Sequence, residues 1–113
     1  MGDYHLDIYV QGVKSKELHA VLCECAEEEV ICGDDFGDSW DPKGGASSFY
    51  GDFSFCEPET EYMVQMTELL RKAAGSDAAG LTITLNLSPL DLPTPTTSYI
   101  FNPGAKKPKI EED

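Results

Sequence analysis

Residues 4–11 read Tyr4-His5-Leu6-Asp7-Ile8-Tyr9-Val10-Gln11, and their alternation decides the fold. Tyr4, Leu6, Ile8 and Val10 share one side of an extended chain, and His5, Asp7, Tyr9 and Gln11 share the other. A side-chain period of two with one apolar side marks a strand half-buried in a sheet. The segments that follow must then supply the cover for that apolar side.

Gly12 ends the strand, and Ser15 is suited to cap a helix. Leu18, Val21, Leu22, Cys25 and Ala26 recur at helical spacing and form its apolar stripe. Continuing that helix would put Glu29 inside the stripe, so the pattern predicts an end near Glu28 and a short strand over 29–32. Residues 34–48 are rich in Gly, Asp and Ser and read as a loop. A second alternation follows, with Phe49, Gly51, Phe53 and Phe55 on one side and Tyr50, Asp52, Ser54 and Cys56 on the other.

Pro58 suits a first helical position, and Glu57, Glu59 and Glu61 suit the positive end of a helix dipole. Tyr62, Met66, Leu69, Leu70 and Ala73 make the stripe of this second helix. Residues 81–88 alternate again, with Leu81, Ile83, Leu85 and Leu87 inward. The order is strand, helix, strand, strand, helix, strand. It is the split βαβ, or ferredoxin-like, arrangement, an α+β fold with two helices on one face of an antiparallel sheet. We expect one domain over residues 1–88. The stretch 89–113 carries five of the seven prolines and reads as an irregular tail. Within it, 97–101 is a candidate edge strand and 106–113 a mobile end.

In this frame the helix-free sheet face carries His5, Asp7, Tyr9, Gln11, Tyr50, Asp52, Ser54, Thr82, Thr84 and Asn86. Two tyrosines on a polar face suit one function class, a structural module that dimerises through that face.

Charge is distributed unevenly. The chain carries a net −13, of which −11 lies between Glu24 and Glu61, where twelve acids accompany the single base Lys43. Such crowding repels itself and is suited to a positively charged partner. It argues against nucleic acid as a direct ligand, and against anionic membranes, since both need clustered Lys and Arg. With 41% hydrophobic and 10% aromatic residues the chain has the means to build a core. The first residues lack the basic start and apolar stretch of a signal peptide, so the expected location is cytoplasmic, with reduced thiols.

No motif for catalysis stands out. Cys23 or Cys56 with His5 or His19 is a conceivable nucleophile–base pair, but nothing local marks one. Gly44-Gly45 lacks the Lys-Ser or Lys-Thr of a phosphate loop. The Asp34–Asp41 stretch does not meet the spacing of a calcium loop. Cys23, Cys25, Cys32 and Cys56 with His5 and His19 are a conceivable zinc set, but the paired Cys-x-x-Cys knuckles are absent. The expectation is therefore no enzyme, no metal and no cofactor.

In size, charge and lack of catalytic motifs, the chain is similar to small acidic proteins of phages and mobile elements. Those block host nucleases, restriction enzymes or CRISPR complexes. The likeness spans no alignable stretch. It implies a nucleic-acid mimic, in the host cytoplasm if phage-encoded, that occupies a basic surface of a protein or ribonucleoprotein. The residues expected to bind the partner are Glu24, Glu27, Glu28, Asp34, Asp35, Asp38, Asp41 and Asp52, with Trp40 and Tyr50 as apolar anchors. Trp40 has a second reading, in which it folds back onto the core edge. An immunity or antitoxin-like protein that neutralises one toxin enzyme is the alternative with the same physics.

Overall fold

The alternation of residues 4–11 forms the central strand of the sheet. A computed structural model describes residues 2–31, 34–55, 59–90 and 95–112. Strand β1 (Gly2–Gln11) places Leu6, Ile8 and Val10 in the core with no exposure. Gly12 then turns the chain at φ 101°, where a Cβ would lie 2.6 Å from the Gly80 carbonyl oxygen. Only glycine meets both demands.

Helix α1 (Lys16–Cys25) starts at Ser15, whose Oγ accepts the Leu18 N–H at 3.1 Å. Leu18, Leu22 and Cys25 are buried as their spacing predicts, whereas Val21 is 43% exposed. The helix does not stop near Glu28. It widens into a π-helical turn, Ala26–Val30, closed by the Ile31 N–H on the Ala26 carbonyl at 2.6 Å. The conflict at Glu29 is thus resolved by rewinding and not by ending. The wider turn leaves Glu29 exposed while Val30 and Ile31 are buried. The short strand expected over 29–32 is not formed, and Cys32 lies outside the described residues.

The Asp-rich stretch expected as a loop is mostly a strand, β2 (Asp34–Asp41). A tight turn over 42–45 joins it to β3 (Ala46–Phe55), which starts three residues before the expected boundary. Gly45, at φ 65°, donates its N–H to the Asp41 carbonyl at 2.9 Å. Aspartate has low strand propensity, but pairing with β3 overrides it.

Helix α2 (Glu59–Ala74) buries Met63, Met66, Leu70 and Ala74. Tyr62, Leu69 and Ala73 pack at the margin of the core, so the buried face is rotated slightly from the expected stripe. Cys56, Glu57 and Pro58 lie outside the described residues, and with them the reading of the helix start. A 3₁₀ segment (Gly75–Gly80) leads to β4 (Thr82–Pro89), which buries Ile83, Leu85 and Leu87.

The tail is not irregular throughout. Strand β5 (Thr97–Phe101) pairs antiparallel with β4 and buries Tyr99 and Phe101. Each such burial stabilises by roughly 1.5–3 kcal/mol. Strand β6 (Lys109–Glu112) pairs with β5, where a mobile end was expected. Its charged residues carry no apolar period; backbone hydrogen bonding to β5 makes it a strand. The β5–β6 connection is held by Arg71, whose guanidinium donates to the carbonyls of Ala105 and Asn102.

Among the described residues, six strands form one antiparallel sheet in the order β2-β3-β1-β4-β5-β6. The helices cover one face, and the core lies between. The fold is α+β. It is compatible with the expected split βαβ arrangement but differs in strand order, because β5 and β6 extend the sheet past β4. No helix among the described residues is long and apolar enough to cross a membrane.

Candidate functional site

The β2–β3 register builds the site. Asp38 lies opposite Phe49, and Trp40 opposite Ser47. Phe49 and Ser47 are fully buried on the helix-covered face, so Asp38 and Trp40 turn toward that face as well. There they meet α1. His19 and Cys23 are four residues apart and therefore share one flank of the helix, beside its apolar stripe.

His19 is held on every side. Its Nε2 lies 2.9 Å from Asp38 Oδ2, and its Nδ1 lies 2.7 Å from Ser47 Oγ. The ring stacks on Phe49 at 5.4 Å and on Trp40 at 5.9 Å, with interplanar angles of 19° and 21°. An ionised carboxylate only accepts, so Nε2 carries the proton toward Asp38. The Ser47 hydroxyl then donates to Nδ1 in the neutral ring, or accepts from it in the protonated one. The imidazole is 12% exposed, and Asp38 is 43% exposed. Trp40 is half-buried, and its Nε1 donates to the Val13 carbonyl at 3.2 Å. It folds back onto the core edge.

Cys23 completes the cluster. Its thiol pKa is raised by burial first, then by the charge of Asp38, then by that of Glu27. A nucleophilic cysteine needs the opposite, a lowered pKa beside a cation. On the core side of the helix, burial and then Glu29 push Cys25 up to about 11. Its thiol donates to Glu29 Oε2 at 3.7 Å.

The acids expected to bind the partner separate into groups. Glu27 and Asp38 act together on Cys23, so the flank of α1 and strand β2 do meet. Glu24 and Glu28 border a shallow cleft on the other flank of α1, with Val21 and Ala73 of α2. Asp35 is exposed at φ 59°, beside an irregularity in the β2–β3 register between Asp34 and Gly37. The Asp34 side chain lies outside the described residues. Asp41 is exposed at the strand end, where its Oδ1 accepts the Lys43 N–H at 3.0 Å. Tyr50 and Asp52 lie across the sheet, on the face free of helices. Asp52 pairs there with its cross-strand partner His5 at 2.7 Å.

Nothing in the sequence marks Ser47, whereas His19 and Cys23 are candidates there for chemistry but not for partner binding. The four-residue spacing of His19 and Cys23 is visible in the sequence. Their meeting with Asp38 is not, because the Gly, Asp and Ser content around that residue reads as a loop. No family model matches the chain, and no curated protein and no solved structure matches it significantly.

Proposed function

We propose that this protein is a non-enzymatic inhibitor, of the anti-restriction or anti-CRISPR kind. It binds a basic, nucleic-acid-handling surface of a larger protein or ribonucleoprotein. The observation that carries the reading is the concentration of charge, twelve acids with one base between Glu24 and Glu61. The contact of α1 with β2 supports it, since the charges of Glu27 and Asp38 both reach Cys23, and Asp35 and Asp41 are exposed further along the same strand. Carboxylates presented on a rigid helix and strand imitate a row of phosphates and speed encounter with a basic groove. The scaffold is a ferredoxin-like core widened by two strands, acting in the cytoplasm.

The test is capture of a partner from host lysate at low salt, followed by competition with DNA or RNA. Charge-led binding weakens steeply as salt rises toward about 0.5 M, where screening acts over only a few ångströms. The variant E27Q/D35N/D41N should lose most of the binding. Capture that is unchanged in high salt, or in that variant, refutes the charge-led reading.

A second reading is favoured by one observation. Tyr9 and Tyr50 are 39% and 41% exposed and lie diagonally across β1 and β3 on the helix-free face. In that reading the face pairs with a second copy. Sedimentation of the wild type against Y9S/Y50S decides it: a dimer that dissociates in the variant supports it, and a wild-type monomer removes it.

A further inference from the structure

We propose that His19, Cys23 and Asp38 form a zinc-binding site that ties α1 to the edge strand β2. The donor atoms of the three side chains all lie within 4.8 Å of one another. The set is one imidazole nitrogen, one sulfur and one carboxylate oxygen. Calcium and magnesium select six or more oxygens, whereas zinc takes mixed nitrogen, sulfur and oxygen donors in a tetrahedron. The proposal is independent of the inhibitor reading, since it concerns the metal alone.

The surroundings are those of a ligand-binding histidine. A metal-bound imidazole is oriented by the partner of its other nitrogen. Here Ser47 Oγ takes that role, 2.7 Å from Nδ1, on a fully buried residue. In the metal-bound ring the proton that faces Asp38 in the metal-free ring sits on Nδ1 and is donated to Ser47, the Nε2 lone pair binds the metal, and the Cys23 thiol releases its proton to solvent as it becomes a thiolate ligand. Stacking on Phe49 and Trp40 fixes the ring plane and walls the site on the core side.

Bond lengths of about 2.0–2.3 Å to zinc imply donor separations of about 3.3–3.8 Å in a tetrahedron. The His19–Asp38 separation of 2.9 Å must therefore open slightly, and any of the other separations that lies near the 4.8 Å limit must close. Side-chain torsions at Cys23 and Asp38 suffice, since Cys23 is only partly buried and Asp38 lies on an edge strand. Three protein ligands leave a fourth position on the solvent side of Asp38, open to water.

Cobalt titration of the full-length, metal-free chain tests this. The expected result is one equivalent bound, with a thiolate-to-cobalt band in the near ultraviolet and the strong visible bands of a tetrahedral ion. Zinc should abolish both bands by displacement. C23S should lose the near-ultraviolet band, H19Q and D38N should bind at least about tenfold more weakly, and S47A about 10–100-fold more weakly. C32S and C56S should bind as the wild type does. Circular dichroism confirms that each variant is folded, and D38N, on an exposed edge, is the safest of them. The proposal is overturned if the folded wild type gives no stoichiometric band. It is equally overturned if the band persists in C23S, if D38N binds like wild type, or if the band depends on Cys32 or Cys56.

Discussion

The two edges of the sheet solve one problem by different means. An edge strand presents unpaired backbone groups and invites pairing with other chains. Strand β2 has eight residues, four of them aspartates, and its register shifts between Asp34 and Gly37. It is also pinned from both faces. His19 holds Asp38 on the helix side, and the Tyr50 ring lies over Gly37 on the other side, where a Cβ would approach within 2.3 Å. Strand β6 has four residues, all exposed. It is held by β5 and by Arg71 on the preceding connection. Between it and α2 runs a groove of about 530 Å³, bordered by Val64, Pro108 and Ile110. One edge is protected by its charged side chains and a bulge, the other by shortness. The aspartates of β2 therefore have a structural use as well as a proposed functional one, and their number alone overstates the binding face.

The contrast is open to attack, and the heaviest blow falls at His19. H19A removes a stacked imidazole and leaves the fully buried Ser47 hydroxyl without that partner. It should cost about 3–4 kcal/mol in urea denaturation. A loss below about 1 kcal/mol would mean that β2 is not pinned by the helix.

Alkaline pH should act on the same side of the molecule. Cys25 rises from 9.0 to about 11, and Cys23 is raised as well. Both pKa values are higher folded than unfolded, so the thiolates form more readily in the unfolded chain. Their contribution is complete below pH 9 and is lost as pH climbs through the folded values. For Cys25 the loss reaches about 2–3 kcal/mol at most. C25A should flatten the decline in stability between pH 9 and 11, and an unchanged slope would refute the assignment.

At the other edge, R71A should cost about 1–2 kcal/mol through its hydrogen bonds to Asn102 and Ala105. Amide exchange should then accelerate over 97–112 and not over 34–41; acceleration at both edges would erase the distinction. The smallest effect is expected from deleting residues 109–113. Stability should fall by less than about 1 kcal/mol, because no residue of β6 is buried. A larger loss would show that shortness is not what makes this edge dispensable.

The parts of the fold that were legible in the sequence are those with an apolar period. Leu6, Ile8 and Val10 announce β1, and Leu81 to Leu87 announce β4, because burial on one face writes itself into alternate positions. Strand β2 was hidden. Asp34, Asp35, Asp38 and Asp41 have the composition of a turn, and the bulge breaks the period that would have revealed a strand. Strand β6 was hidden for a related reason, since an exposed edge needs no apolar side. The π-turn at Ala26–Val30 left a trace, in that Glu29 visibly breaks the stripe, but the break has two solutions and only packing selects one.

The candidate site divides the same way. His19 and Cys23 share a helix flank by spacing alone, and the acidic surplus between Glu24 and Glu61 is a property of composition. The partner that turns that flank into a cluster, Asp38, is 19 positions away from His19. Its position depends on a strand whose local preferences argue against it. Short-range periodicity therefore determined the central strand and both helices of this protein, and composition determined its charge. Pairing across the sheet decided which aspartate faces inward, which tyrosine faces out, and where the histidine finds its carboxylate. Such contacts are held by cooperative backbone hydrogen bonding and burial over the whole sheet, and no local stretch of sequence encodes them by itself.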